Sequence, residues 1–205
     1  YESLHDLLQY CHRVAAVVGL MMCHVFGIRD DRALLPAAHL GIAMQLTNIC
    51  RDVFDDWQLG RRYLPRAMLR EAGALDASLD PRQPFPRDEQ TLSAMRTVMK
   101  QLLARADVYY ASAHLGMLAL PFRAGLAVRA ARLLYREIGI VLAERGHDPT
   151  RGRAVVSTRR KLGLVWRAVR VHVSSARPRR RALLLGTGEL HAPRRTLEFP
   201  ESATI

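Results

Sequence analysis

The run Gln45-Leu46-Thr47-Asn48-Ile49-Cys50-Arg51-Asp52-Val53-Phe54-Asp55-Asp56 places two amides, an arginine and three carboxylates in a largely apolar stretch. On a helix of 3.6 residues per turn, Asn48, Asp52 and Asp56 stand one above another on a single face, with Gln45 a turn earlier on nearly the same stripe. Such a stripe is costly in apolar surroundings unless something binds it, because a buried carboxylate needs a partner charge. Oxygen donors one turn apart suit a hard cation such as Mg²⁺, which can itself hold a diphosphate. The bland alternative is a solvated helix face, with Arg51, Arg61 and Arg62 as ion-pair partners. Two features weigh against it. Residues 40–49 are too apolar for an outer face, and Asn48 carries the polar stripe back into them. Gly60-Arg61-Arg62-Tyr63-Leu64-Pro65 follows at once, setting cations where a phosphate could meet them.

The elements that must position these residues read as helices. Apolar residues recur at helical spacing over residues 4–25, and residues 33–57 form the motif helix, with Pro36 tolerated in its first turn. A short helix is expected over 66–72 and a Gly/Pro-rich loop over 73–86. Long helices follow at 88–118, opened by acidic residues that suit its N-terminus, and at 121–145, stopped by Gly146-His147-Asp148-Pro149. A last helix is expected over 158–174. No strand alternation and no internal repeat is visible, so periodicity supports an all-α bundle. Residues 1–175 are read as one helical unit, and 176–205 as a basic tail expected to be poorly ordered. His12, His24 and His39 lack a second ligand one turn on and read as structural. Met21, Met22 and Met44 are expected to line or back an apolar cavity.

A chain of 205 residues, 49% of them hydrophobic, can bury a sizeable core. Cys11, Cys23 and Cys50 lack C-x-x-C spacing and read as reduced core residues of a cytoplasmic protein. No unbroken apolar run approaches a membrane span of about 20 residues. From residue 145 to 181 there are twelve Arg/Lys against the single acid Asp148, 12 − 1 = +11, so nearly all of the formal +12 lies late in the chain. Trp166 is the only aromatic in that span and no nucleic-acid-binding signature appears, so no nucleic-acid partner is expected. Anionic lipid at the inner face of a membrane fits better. An arginine bias with no partner behind it outweighs either partner reading, since Lys100 and Lys161 are the only lysines.

The motifs resemble those of the head-to-head trans-prenyltransferases, the squalene and phytoene synthases. Their second aspartate-rich motif reads roughly Q-x-x-N-x-x-R-D-x-x-x-D followed by G-R-x-Y-L-P, matched here by Gln45, Asn48, Arg51, Asp52 and Asp56 and by Gly60, Arg61, Tyr63, Leu64 and Pro65. Tyr10-Cys11-His12-Arg13-Val14-Ala15-Ala16-Val17-Val18-Gly19 is similar to the family's Y-C-x-x-V-A-G-x-V-G, departing at Ala16. Leu134-Tyr135-Arg136-Glu137-Ile138, Gly152-Arg153-Ala154-Val155-Val156 and Arg160-Lys161 agree more loosely. The resemblance spans residues 1–173. It implies the class I isoprenoid synthase fold with a central cavity, here without its N-terminal helices.

The resemblance also implies the chemistry. Two prenyl diphosphates condense through a cyclopropylcarbinyl diphosphate, with Mg²⁺ (Mn²⁺ as the alternative) held by Asn48, Asp52 and Asp56. Asp52, Asp56 and Tyr10 take the catalytic roles; Gln45, Asn48, Arg51, Arg61 and Tyr135 bind substrate. Asp55 points about 100° away from Asp56 and stays outside this set. For Tyr10 and Tyr135, ordinary core packing remains the competing reading. Gln-Leu-Thr-Asn and Tyr-Leu-Pro are similar to the phytoene synthase branch, implying two C20 geranylgeranyl diphosphates, phytoene as product and no NADPH. Relatives that use C15 farnesyl diphosphate to make squalene, presqualene diphosphate or dehydrosqualene are the alternative. The family's first aspartate-rich motif is not found, so the chain is read as the C-terminal part of a longer enzyme, with little activity alone. A non-catalytic helical remnant that binds lipid or a partner is the other reading.

Overall fold

The helix that carries the motif is also the centre of the packing. The computed structural model describes residues 1–184 except Arg29, Pro81 and Leu118, with side chains as far as Ser174. Within these residues α1 (Leu4–Cys11) passes through a wide π turn (His12–Ala16) into α2 (Val17–Val25), and α3 (Leu34–Arg51) runs back beside it. There follow α4 (Val53–Gln58), α5 (Arg66–Glu71), the long α6 (Glu89–Gly116) and α7 (Phe122–Glu144), and finally α8 (Thr158–Leu184). Helix α3 packs most extensively against α6, then against α2 and α7, while α8 lies on α7. No strand occurs among the described residues.

Local chemistry accounts for the ends. Ser3 and Asp6 form a capping box on α1: the Asp6 N–H donates to Ser3 Oγ at 3.2 Å and the Ser3 N–H to Asp6 Oδ2 at 2.9 Å. Asp88 caps α6 by accepting from the Thr91 N–H at 2.7 Å. The chain leaves α7 through Gly146 at φ 70°, a left-handed conformation that glycine adopts without strain.

The core is the seam between α3 and α6, where Leu46, Ile49 and Cys50 meet Met95, Val98, Met99, Leu102 and Ala106, all almost fully buried. Each large side chain so buried contributes about 1.5–3 kcal/mol. A polar pair crosses this seam. Thr47 Oγ1 donates to the Ala43 carbonyl at 2.8 Å and accepts from the Tyr110 hydroxyl at 3.0 Å, satisfying two buried groups. On its other side α3 meets α2 and the π turn backbone to backbone. A Cβ on Gly19 would stand 2.4 Å from the Ala37 carbonyl oxygen, and one on Gly41 2.3 Å from that of Ala15.

Four expectations change. The helix expected over 4–25 contains the π turn, whose closing bond runs from the Val17 N–H to the His12 carbonyl. The motif helix is broken at Asp52. The helix expected to end at 174 continues to Leu184, so the proposed tail begins inside α8; residues 185–205 lie outside the described residues. Finally, the segment Asp31–Arg51 is long and apolar enough to cross a membrane by length and mean hydropathy (21 residues, 1.3), although no unbroken apolar run is. Here it is the central helix of the bundle, packed by α2, α6 and α7.

Candidate active site

Asp52 sits at the joint between α3 and α4, with φ −105° and ψ 15°. The hydrogen bonds across the break are kept: the Asp52 N–H donates to the Asn48 carbonyl at 2.9 Å and the Asp56 N–H to the Asp52 carbonyl at 2.8 Å. Asn48, Asp52 and Asp56 therefore remain one turn apart in register although the axis is interrupted. The Asp52 carboxylate lies between two arginines. Arg51 grips it with both arms of its fork, Nε reaching Oδ1 at 2.8 Å. Arg153, from the loop before α8, approaches the same Oδ1 at 3.0 Å. Gly152, at φ 69°, turns the chain just before it.

Asp56 has weaker support. Arg61 stands 3.9 Å from its carboxylate and donates its backbone N–H to the Asp56 carbonyl at 2.8 Å. Burial, and then the charges of Asp52 and Asp55, raise the Asp56 carboxyl above the ordinary carboxylate range against the pull of Arg61 and Arg51. Asn48 Oδ1 is buried with no hydrogen-bond partner. Two crowded carboxylates and an unpartnered amide oxygen are oxygen donors of the kind a hard cation takes. Mg²⁺ is commonly held by one or two carboxylates, keeping waters and taking phosphate oxygens for its other positions, so these residues fit it. No group of three His, Cys, Asp or Glu among the described residues is arranged to enclose a metal alone.

Two cavities adjoin this joint. An apolar trough of about 400 Å³ runs along α3 between α2, α6 and α7, walled by residues such as Val18, Met22, Leu40, Met44 and Met117. Gln45, Asn48 and Tyr135 form its polar end. A second cleft of about 290 Å³ holds Asp56, Arg61, Arg62, Tyr1 and Tyr63. Tyr10 joins this second region. Its ring lies 5.3 Å from that of Tyr63 and 5.2 Å from that of Tyr1, and its hydroxyl donates to the Tyr63 hydroxyl at 3.3 Å. Burial and the Tyr63 hydrogen bond raise the Tyr10 phenol well above its ordinary value, so it stays protonated.

The motif residues thus come together around the joint, but not on one stripe facing one cavity. Gln45 and Asn48 face the trough with Tyr135, Asp56 and Arg61 face the cleft, and Arg51 and Asp52 lie paired between them. Tyr10 is not among the side chains that wall the trough. Met22 and Met44 wall it as expected, whereas Met21 is exposed and does not. Arg153 at Asp52 and Tyr63 beside Tyr10 are site residues for which the motifs predict no such place. Nothing local marks Arg153, because its partner lies 101 residues earlier (153 − 52).

The family described as squalene/phytoene synthase matches residues 1–160. The 15-cis-phytoene synthase of Enterobacter agglomerans is 41% identical over 165 residues, covering 80% of this chain and 54% of the relative. That of Paracoccus sp. is 40% identical over 188 residues, covering 89% and 58%. The chain spans little more than half the length of these relatives. Among solved structures, a dehydrosqualene synthase in complex with ligand superposes with a TM-score of 0.70 at 29% identity, covering 84% of this chain and 59% of that one. Squalene synthase HpnC from Alicyclobacillus acidocaldarius gives 0.64 at 26%, covering 73% and 54%. Both carry the isoprenoid synthase helical fold found here. With its family model matched over residues 1–160 and these relatives about 40% identical over most of the chain, the chain belongs to the squalene/phytoene synthase family.

Proposed function

We propose that the whole protein condenses two molecules of geranylgeranyl diphosphate head to head, through a cyclopropylcarbinyl diphosphate, to phytoene, and that this chain supplies the second carboxylate helix. The observation that carries this reading is the trough: apolar along its length and polar at one end, it ends at Gln45 and Asn48, one turn from the Asp52 carboxylate. That polarity matches a molecule with a long hydrocarbon tail and a diphosphate head. The names printed for the phytoene synthase relatives favour the C20 substrate, while the squalene-type structural neighbours keep a C15 substrate as the second reading.

Asn48, Asp52 and Asp56 would hold Mg²⁺, or Mn²⁺ in its place, and the bound ion would supply Lewis-acid neutralisation of the leaving diphosphate. Arg51 and Arg153 present fixed forks of donors that match phosphate oxygens, and both stand ready at Asp52. Arg61 contributes a cation to the neighbouring cleft. Gln45 donates an amide at the mouth of the trough. The trough walls keep water from the hydrocarbon, and Tyr135 presents an aromatic face that favours positive charge developing beside it. Tyr10, held protonated, donates to the stacked Tyr63, leaving the Tyr63 hydroxyl to donate into the cleft. The three cysteines are buried and unpaired, which supports a cytoplasmic location. Peripheral contact with anionic membrane is part of the same reading.

Two measurements test it. In the first, Mg²⁺ with inorganic diphosphate is added to the chain during thermal unfolding. Because the Asp56 carboxyl is raised, its ionised form opposes folding at neutral pH: the stability it contributes is present below the unfolded carboxylate pKa and lost as pH rises through the folded one. Asp56→Asn is therefore expected to melt slightly higher than wild type without ligand and to lose the ligand-induced rise. A full rise in Asp56→Asn would remove the metal assignment. In the second, the whole protein is incubated with geranylgeranyl or farnesyl diphosphate; preferential formation of a C30 product would overturn the C20 reading.

A further inference from the structure

Helix α8 carries an apolar stripe that the bundle does not use. Its packed side is set by Ala168 and His172, which are buried, and by Arg160, which pairs with Glu137 at 3.1 Å and with Glu144. Leu162, Trp166 and Val173 lie elsewhere. At about 100° per residue they fall within one narrow sector of the helix, centred more than a quarter-turn from the buried side. They are 66%, 65% and 40% exposed. Arg159 and Arg170 border this sector, and with Arg167 they are exposed and have no carboxylate partner among the described residues. Residues 158–184 contain nine Arg/Lys and no Asp or Glu.

We infer that α8 docks on an anionic bilayer surface, with Leu162, Trp166 and Val173 entering the acyl boundary and Arg159 and Arg170, which border them, meeting lipid phosphates. An amphipathic helix with arginines beside a Trp/Leu face is the composition that lies in such an interface. Tryptophan, with an apolar ring and a polar N–H, favours that depth. A second copy of the chain is a poor occupant, since it would bring nine cations against nine. The proposal makes the membrane contact of the proposed function specific to one helix, and it rests on that reading only for its purpose. The placement gives a reason for it. His172 on α8 stacks on Phe122 at 4.5 Å, and a Cβ on Gly125 would touch both His172, at 3.0 Å, and Leu120, a wall of the trough. The docking helix and the hydrocarbon end of the trough are thus neighbours.

The test is flotation of the chain with vesicles of phosphatidylcholine alone and of equimolar phosphatidylcholine and phosphatidylglycerol, read also by tryptophan emission. It needs neither substrate nor Mg²⁺, so its outcome is independent of the condensation reading. Binding is expected to the anionic vesicles, weakened by salt, with a blue shift from Trp166, since Trp57 is already buried. Arg159→Gln with Arg170→Gln should lower partitioning about 25-fold, at about fivefold per cation. Leu162→Ser with Trp166→Ser should lower it as well, while circular dichroism and thermal unfolding stay at wild-type values. Failure to bind anionic vesicles at low ionic strength would overturn the proposal. So would binding that ignores the Leu162/Trp166 pair, or tighter binding to an oligonucleotide or polyglutamate, which would make the partner a polyanion rather than a lipid surface.

Discussion

Replacing Gly41 by alanine is the most direct probe of how the trough is built. Glycine inside a helix is normally a weakness, and alanine there gains about 1 kcal/mol from backbone entropy alone. At Gly41 the added methyl would stand 2.3 Å from the Ala15 oxygen, 2.6 Å from its carbonyl carbon and 2.8 Å from the Ala16 nitrogen. These are backbone atoms, so no rotamer change relieves them, and α3 must move away by about 1 Å to reach ordinary contact. Overpacking of this kind costs about 1–3 kcal/mol, and its upper end applies where nothing can rotate aside. The net expectation is a loss of about 2 kcal/mol, or roughly 4–8 °C in Tm for a chain of this size. Gly163→Ala on α8 is the control, because nothing lies within 4 Å of the added atom. It should gain about 0.5–1 kcal/mol, or roughly 1–4 °C. Both variants are measured by thermal and urea unfolding of the same chain. If Gly41→Ala rises together with Gly163→Ala, the close approach of α3 to the π turn is not there, and the wall of the trough has been misread.

Two more outcomes can be checked the same way. Thr47→Val leaves the buried Tyr110 hydroxyl without its acceptor and should cost about 1–3 kcal/mol, whereas Thr47→Val with Tyr110→Phe should cost less than the sum of the single changes; strict additivity in urea midpoints would show that the two hydroxyls do not interact. His39, His114 and His147 are all held below the ordinary imidazole value, by burial first, with Arg132 and Arg129 adding at His114 and Lys100 at His147. The folded chain therefore resists protonating them. Their stability is fully present above about pH 6.5, begins to fall below that unfolded imidazole value and is lost as pH falls through the lower folded values, so Tm should drop between pH 7.5 and 5.5. His39→Gln should flatten that slope; a Tm that climbs on acidification would contradict the assignment.

What could be read from the chain beforehand was whatever local chemistry specifies. Helix α6 begins where Asp88 can cap it, and α7 lies between Pro121 and Gly146, so both came within a residue or two of their expected ends. The π turn has no such mark. His12 to Ala16 would suit an ordinary helix equally well, and the turn is found where its backbone closely approaches Gly41, a contact between segments distant in the chain. The break at Asp52 likewise involves neither glycine nor proline; it arises where a carboxylate gripped by Arg51 and Arg153 takes up an irregular backbone. Helix α8 was expected to end before Pro178, yet it runs on through that proline to Leu184. The types and order of the site residues were thus legible, while the division of those residues between two cavities depends on contacts between segments far apart in the chain.

The joint at Asp52 has one more consequence. Gln45 and Asn48 before it address the trough, Asp56 and Arg61 after it address the cleft, and the carboxylate on the joint lies between them in the grip of Arg51 and Arg153. Because each helical residue advances the direction of its side chain by about 100°, one residue inserted or deleted between Asn48 and Asp56 would turn one half of the motif away from the other. A changed side chain alters a single contact, whereas a changed count misdirects every contact on one side of the joint. Spacing is what this motif must preserve first, and composition second.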